Sequence, residues 1–288
     1  MASHFKLIND LPHYLALMRL EKPVGSLLLL WPTLWALWIA SNGNPEPGMV
    51  WVFTLGVFVM RSAGCVINDY ADRNIDGEVE RTQSRPLASG ALSPKNALVF
   101  FAFLGLLAIL LLMLLPMRVW PWALPAAGLT IMYPFMKRFI QAPQLVLGLA
   151  FSFSIPMVYV ACNHAFDVVF WLLFIANTCW VLAFDTEYAM SDREDDLKIG
   201  VKSTAIWFGR FDLLVIAILQ TVFISLWLLV FVLLNLSLTF ILSLCLAAGF
   251  FVYQQWLIHE RERLTCFQAF VNNAWVGAAI WFGLLISY

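Results

Sequence analysis

Charge is what this chain has least of: only 12% of its 288 residues are Asp, Glu, Lys or Arg. So little charge cannot cover the surface of a soluble domain of this length, and a net charge of -1 says little about partners because the charges are segregated, so a nucleic-acid partner is not implied. Cysteine is scarce as well. Cys65, Cys162, Cys179, Cys245 and Cys266 are scattered without a CxxC pair, which implies small apolar packers rather than a disulfide framework. His4, His13, His164 and His259 lack metal-ligand spacing, and no Ser, Cys or His nucleophile stands out. The first 22 residues hold no uninterrupted apolar core and no small-residue cleavage site, which argues against a removable signal peptide. Leu11, Tyr14, Leu15 and Met18 suit one side of a short interfacial helix instead.

What fills the chain is apolar. Hydrophobic residues make up 62%, with 24 Phe and 13 Trp, and mean hydropathy is +0.82. Apolar runs of about 20 residues match helices that cross a bilayer. Such runs fall at roughly 24–41, 49–69, 96–115, 119–136, 144–162, 168–190, 211–234, 237–257 and 267–287. The expected fold class is therefore all-α, a polytopic membrane protein of about nine transmembrane helices in a single domain over residues 1–288. An interfacial segment at 1–23 and two polar loops, at about 70–95 and 191–210, are expected on the cytoplasmic side. The basic residues set the orientation, because Lys and Arg are retained inside. Lys6, Arg19, Lys22, Arg73, Arg81, Arg85, Lys95, Lys137, Arg138, Arg193, Lys198, Lys202, Arg210, Arg261 and Arg263 share the side of the amino terminus, and Arg118 alone marks the other. This predicts a cytoplasmic amino terminus and a carboxyl terminus outside, with membrane lipid around the chain and no obligate protein partner evident.

Against this apolar background stand two acid clusters, Asn68 to Asp76 and Asp185 to Asp196, each abutting a long apolar run. An ionisable side chain there costs several kcal/mol unless it is paired or functional. Asn68, Asp72 and Asp76 follow i, i+4, i+8 spacing, which places them on one helix face if the helix continues past the membrane surface, with Asp69 beside them. Arg61 falls within about 20° of Asp72 on the same wheel, three turns deeper, and Arg73 borders the stripe. Tyr188, Asp192 and Asp196 repeat the spacing, with Asp185 and Asp195 adjoining, whereas Glu187 and Glu194 point elsewhere. Carboxylate and amide oxygens on two facing helices suit Mg²⁺, which keeps positions open for substrate phosphate oxygens. The alternative is structural: Asp72 and Asp76 pair with Arg73, Arg81 or Arg85, and Asp192 to Asp196 form a solvated helix end neutralised by Lys198 and Lys202. Duplication of the array on one membrane side favours the metal. Between the clusters, Tyr133 and Lys137 lie one helical turn apart, an aromatic face and a cation suited to phosphate and a carbocation, and Arg138 follows as either an acceptor-carboxylate ligand or a membrane anchor.

The patterns Asn68-Asp69-x-x-Asp72-x-x-x-Asp76, Tyr133-x-x-x-Lys137 and Asp192-x-x-x-Asp196 resemble the signature motifs of the UbiA superfamily of intramembrane prenyltransferases. The run Leu27 to Trp38 and the stretch Arg61 to Gly90, with Arg85-Pro86-Leu87 and Ser89-Gly90, look like its 4-hydroxybenzoate-prenylating branch. The resemblance implies helices ringed around a central cavity, and Mg²⁺-dependent transfer of a polyprenyl group from polyprenyl diphosphate to 4-hydroxybenzoate in ubiquinone biosynthesis. It implies catalytic roles for Asp72, Asp76, Asp192, Asp196, Tyr133 and Lys137. Metal ligands are expected among Asn68, Asp69, Asp72, Asp76, Asp192, Asp195 and Asp196, and substrate contacts from Arg61, Arg73, Lys137 and Arg138. Tyr188 stands where many relatives carry Asp, so the second metal half rests on Asp192 and Asp196. A related prenyltransferase with another aromatic acceptor is the near alternative. An ion or solute transporter is the distant one, because transport predicts acids near the bilayer midplane rather than at one interface.

Overall fold

The structure, a computed structural model, describes residues 11–288, so Lys6 and His4 lie outside the described residues. It is helical throughout. In chain order the helices are α1 (Val24–Ala40), α2 (Pro47–Asp72), α3 (Pro94–Leu112), α4 (Trp120–Met136), α5 (Pro143–Ser152), α6 (Ser154–Ala161), α7 (Val168–Ile199), α8 (Thr204–Phe208), α9 (Asp212–Leu234), α10 (Thr239–Ile258) and α11 (Arg263–Ser287). Residues 11–18 form a further helical segment whose Leu17 is fully buried against α2 and α3.

Local chemistry places the ends. The Ser93 side chain accepts from the Asn96 amide at 3.2 Å, and Pro94 follows at the first helical position, where its missing N–H costs nothing. Asp167 Oδ1 accepts from the Phe170 amide at 2.9 Å to start α7, and Gly200, at φ +73°, ends it in the left-handed conformation a glycine tolerates. The span expected at 144–162 is broken at Phe153 into α5 and α6. Pro156 has no N–H to give the carbonyl four residues before it, and its ring crowds that carbonyl.

The expected apolar runs otherwise match the helices to within a few residues, but two polar loops are redrawn. The first acid stripe is not one helix face, because α2 ends at Asp72 and Asp76 opens a one-turn 3-10 helix, Asp76–Glu78. The second continues the membrane helix: α7 runs 32 residues, through the whole acid motif. Of the segment expected as a loop at 191–210, residues 191–199 belong to α7 and Thr204–Phe208 form α8.

Helices α1, α2, α4, α5, α7 and α11 follow one another around a central space, with α3 packed outside α2 and with α9 and α10 backing α7 and α11. At the junction of α1, α7, α9 and α11 sits an aromatic core in which Trp35, Trp180, Phe223 and Trp227 are fully buried. Gly277 lets α1 and α11 approach there: a Cβ on it would lie 2.0 Å from Trp31 Cδ1. The outer surface is covered by exposed Leu, Ile, Val, Phe and Trp side chains such as Leu124, Val252 and Trp256, which only lipid accommodates. Among the described residues seven helical units are long and apolar enough to cross a bilayer, and α1 is a shorter apolar helix, so the chain is a multi-pass membrane protein.

A second polar region lies behind the ring. Glu187, on the face of α7 turned from the central space, accepts from Asn273 Nδ2 at 2.8 Å and from Gln220 Nε2 at 3.2 Å. Asn273 Oδ1 in turn accepts from Trp180 Nε1 at 2.8 Å, and Gln220 donates to Gln254 Oε1 at 2.9 Å. Four helices are thereby tied together in the apolar interior.

Candidate active site

The ring encloses a cavity of about 1370 Å³ that receives side chains from both acid clusters and from α1, α2, α4, α5, α7 and α11. Asn68, Asp69, Asp72, Asp76, Arg61, Tyr133, Lys137, Asp192 and Asp196 all line it. Helix α2 delivers Arg61, Asn68 and Asp72 to one wall, and α7 delivers Asp185, Tyr188, Asp192 and Asp196 to the facing one. Asp69, Asp72, Asp76, Asp185 and Asp192 are buried, so the acids meet at the end of an apolar chamber rather than in solvent.

Four carboxylates of the mouth, Asp69, Asp72, Asp76 and Asp192, are held by cations. Lys137 Nζ pairs with Asp72 Oδ2. Arg81 grips Asp192 with two nitrogens, Nε at 2.9 Å from Oδ1 and Nη2 against Oδ2, while its guanidinium lies 4.5 Å from the Tyr188 ring centre. Arg85 Nη1 bridges Asp69 at 3.1 Å and Asp76 at 2.8 Å, and Arg19 Nη2 reaches Asp69 at 2.5 Å. Burial pushes the Asp76 carboxyl above its ordinary range, with Arg85 pulling the other way. In the sequence Arg19, Arg81 and Arg85 mark orientation or offer counter-charges, and Arg85 belongs to the Arg85-Pro86-Leu87 block, but none is an expected site residue. Their place in the site follows from loop closure, which no periodicity reports.

Deeper in, the Tyr133 hydroxyl donates to Asp185 Oδ2 at 3.3 Å. Arg61 reaches across to α1, where its guanidinium fills the space beside Gly25; a Cβ there would come within 2.4 Å of Nη2. Among the described residues Arg61 pairs with no carboxylate, which leaves a cation inside the chamber for an anionic ligand. Phe267 and Phe270 of α11 close on Tyr188, with the Phe270 ring 4.9 Å from it, so the wall next to Asp192 is aromatic.

Three expected residues are placed elsewhere. Arg73 folds back on its own helix end, donating to Tyr70 O at 2.6 Å with its guanidinium 4.5 Å from the Tyr70 ring. Arg138 donates to Ala71 O at 2.6 Å, so it caps the last turn of α2 from outside the cavity. Asp195 pairs with Arg263 at 2.9 Å and Lys198 at 3.3 Å, beside the cavity rather than on its wall. None of the three lines the cavity. Glu194 is exposed and Glu187 faces away, as their helical angles require.

Among the described residues no three acids already converge as a closed metal cage. The donor set nevertheless fits a hard divalent cation. Asp72 Oδ1 is buried without any hydrogen-bond partner, although the other oxygen of the same carboxylate is paired. An orphaned anionic oxygen in a buried setting costs one to several kcal/mol unless something binds it. Mg²⁺ is commonly held through one or two carboxylates, with waters and substrate phosphates completing the shell, which needs no all-protein cage.

Residues 29–283 match the UbiA prenyltransferase family. The chain belongs to that family. It is 53% identical to a 4-hydroxybenzoate octaprenyltransferase of Pseudoalteromonas translucida over 280 residues, which cover 97% of this chain and 96% of the relative. A protein of the same name from Pectobacterium carotovorum is 54% identical over 275 residues, 95% of this chain and 96% of the relative. Among solved structures, a UbiA homolog from Aeropyrum pernix superposes with a TM-score of 0.79 at 22% identity, over 90% of this chain and 97% of that one. A homolog from Archaeoglobus fulgidus, bound to GPP and Mg²⁺, gives 0.72 at 19% identity over 95% and 99%. These two structures agree with this one in fold.

Proposed function

We propose that this chain transfers a polyprenyl group from polyprenyl diphosphate to the ring of 4-hydroxybenzoate, ortho to the hydroxyl, in ubiquinone biosynthesis. The observation that carries the reading is one cavity joining two carboxylate arrays to an apolar interior, in a chain that matches 4-hydroxybenzoate octaprenyltransferases over nearly its full length. The cytoplasmic side of the inner membrane is the place of reaction, since the basic residues cluster with the site.

Asn68, Asp72, Asp76, Asp192 and Asp196 would hold Mg²⁺, with Asp69 beside them. When bound, the ion neutralises the diphosphate and makes it a better leaving group. Lys137, Arg81, Arg85 and Arg19 exchange their carboxylate partners for diphosphate oxygens and stabilise the charge that grows as it departs. The C–O bond breaks with its electron pair going to diphosphate. The allylic cation left behind lies against the ring faces of Tyr188, Phe267 and Phe270, which attract positive charge.

Arg61 takes the carboxylate of 4-hydroxybenzoate, and this replaces the expected assignment of that task to Arg138, which is engaged on α2. The ring carbon ortho to the hydroxyl attacks the cation and a C–C bond forms. The ring proton then passes to Asp185, whose carboxylate is steadied by the Tyr133 hydroxyl. No covalent enzyme intermediate is required. Incubating the purified protein with octaprenyl diphosphate, Mg²⁺ and a panel of aromatic acceptors tests the reading: 4-hydroxybenzoate should be prenylated, and EDTA should stop the reaction. Turnover of a naphthoate in preference to 4-hydroxybenzoate would move the protein to a sister activity.

A further inference from the structure

Five side-chain amides are buried among the described residues: Gln144, Asn177, Gln220, Gln254 and Asn273. Four of them donate their N–H groups within the protein. Asn177 gives to Ser152 Oγ at 2.9 Å, Gln220 to Glu187 and Gln254, Gln254 to Asn272 Oδ1 at 2.9 Å, and Asn273 to Glu187. Gln144, near the start of α5, differs. Its Oε1 accepts from the Thr204 amide at 3.0 Å, which fixes the orientation of the group, because a backbone N–H can meet only the oxygen. Nε2 is therefore turned from Thr204. It meets no acceptor among the described residues, yet it is left open rather than enclosed. The open space beside it is the central cavity, whose wall Gln144 joins and the other four amides do not. A nearly buried amide donor without an acceptor carries a desolvation cost that a ligand can remove.

The bonds around Thr204 set the depth of this donor. Thr186 gives its hydroxyl proton to Leu182 O at 2.6 Å, so Thr204 Oγ1 donates to Thr186 Oγ1 at 2.7 Å. Gln144 is thereby tied to the turn of α7 that carries Asp185, and Asp185 accepts from Tyr133 across the cavity. Phe151, whose ring lies 5.9 Å from the Arg61 guanidinium, sits on α5 a rise of about 10 Å deeper than Gln144 at ~1.5 Å per residue. Arg61 and Gln144 thus stand at two levels of one chamber, with Asp185 at the level of Gln144. A flat aromatic ring with an anionic group at one end and a hydroxyl at the other matches that pair of groups in order and in sign.

We propose that Gln144 Nε2 donates to the hydroxyl oxygen of 4-hydroxybenzoate and so selects acceptors that carry a hydroxyl opposite the carboxylate. The proposal rests on the prenyltransferase reading, with the acceptor carboxylate on Arg61. A phenolic oxygen has one lone pair in the plane of the ring and one conjugated with it. The amide takes the first, and the second remains free to push electron density to the ortho carbon. Held at both ends, the ring cannot turn about its long axis without losing the hydrogen bond, and its ortho C–H stays in the layer of Asp185, which receives the proton.

Gln144→Met, similar in length and without a donor, tests it in the full-length protein with Mg²⁺ and octaprenyl diphosphate. The KM for 4-hydroxybenzoate should rise about fivefold, the usual worth of a neutral hydrogen bond, while the donor KM stays as it is. Benzoate has the carboxylate and no hydroxyl, so its inhibition constants for wild type and variant should agree to within about twofold. A purely structural role for the Thr204 contact would weaken both ligands alike, and equal losses would overturn the proposal. So would an unchanged KM for 4-hydroxybenzoate, or a rise confined to the donor. A second measurement needs no variant: 4-azidobenzoate, photolysed on the wild-type protein, should label the peptide that contains Gln144, and excess 4-hydroxybenzoate should suppress the label. Label confined to other helices would place the hydroxyl elsewhere. Wild-type protein labelled at Gln144 yet unable to prenylate 4-hydroxybenzoate would overturn the functional reading and leave the contact standing.

Discussion

Asp72 and Glu187 are carboxylates buried in membrane-spanning helices of one bundle, yet their surroundings are opposite. Both oxygens of Glu187 accept amide hydrogens, from Asn273 and Gln220. Asp72 has one oxygen on Lys137 and the other on nothing. The first region is closed, tied to four helices and turned from the cavity. The second faces the cavity and is balanced by cationic side chains rather than by amides. Polarity within a membrane is expensive in either place. A completed network makes that polarity a fastening for helices, whereas an incomplete one leaves capacity that a ligand can use.

The largest expected effect falls on the open region. Asp72→Ala and Asp192→Ala should each reduce prenyl transfer by about 10²-fold or more, the usual scale for losing an electrostatic contact in a transition state. Both proteins should elute from detergent size exclusion like the parent. Turnover close to that of the parent would remove these carboxylates from the site, and Glu194→Ala, on the exposed face, should cost little.

Next come two cations of the cavity, Arg61, without a carboxylate partner among the described residues, and Lys137 on Asp72. Arg61→Ala should raise the KM for 4-hydroxybenzoate by about tenfold or more while changing the donor KM little, because a lost charged hydrogen bond is worth about 1.5–3 kcal/mol. Lys137→Ala should do the reverse, acting on the donor. Arg138→Ala, in contrast, should leave both KM values near normal and lower thermal stability through the uncapped end of α2. If Arg138→Ala raised the acceptor KM selectively, the roles of Arg61 and Arg138 would be exchanged.

A smaller effect, and one of another kind, belongs to the closed region. Glu187→Leu leaves the Asn273 and Gln220 amides short of an acceptor, at a cost of about 1–3 kcal/mol, so the midpoint of thermal unfolding in detergent should fall. Activity per folded molecule should stay within a fewfold of the parent, and Glu187→Gln should lie between. A Glu187→Leu protein of normal stability but no activity would abolish the distinction between fastening and site.

Much of this was legible in the sequence because lipid imposes simple rules. Apolar runs located the membrane helices, and Asp192 and Asp196 came out on the cavity side because α7 stays helical through them. The reading failed where the chain leaves regular structure. Asp76 joins the site through a turn and its bond to Arg85, not through helical phase, and Arg73, beside the stripe in sequence, bends back to Tyr70. Arg138 next to Lys137 is equally available by sequence, but α4 ends at Met136 and the turn that follows carries Arg138 to Ala71 O, so only Lys137 meets the cavity. Arg81, Arg85 and Arg19 were invisible as site residues because their contacts join segments far apart in the chain. The Glu187 network was equally hidden, since Gln220, Gln254 and Asn273 carry no spacing signal.

The last prediction concerns which side of the membrane each region faces, and it perturbs neither. The site's cations and the remaining Lys and Arg cluster with the amino terminus, whereas Arg118 caps the opposite end of the bundle by donating to Val160 O at 2.7 Å and Ala161 O at 2.9 Å. Retention of basic residues inside predicts that both carboxylate arrays lie on the cytoplasmic face. In a variant freed of its five cysteines, Gly77→Cys and Lys198→Cys should react with an impermeant thiol reagent only after the inner face is opened, whereas Asn44→Cys should react in intact spheroplasts. All three positions are exposed, so failure to label means the wrong side rather than burial. Because α2 and α7 point their acid ends into one cavity, labelling of Gly77→Cys and Lys198→Cys from opposite faces is incompatible with a shared diphosphate site. Labelling of both from outside would keep the site and invert the molecule, and 4-hydroxybenzoate would then have to be supplied from the periplasm.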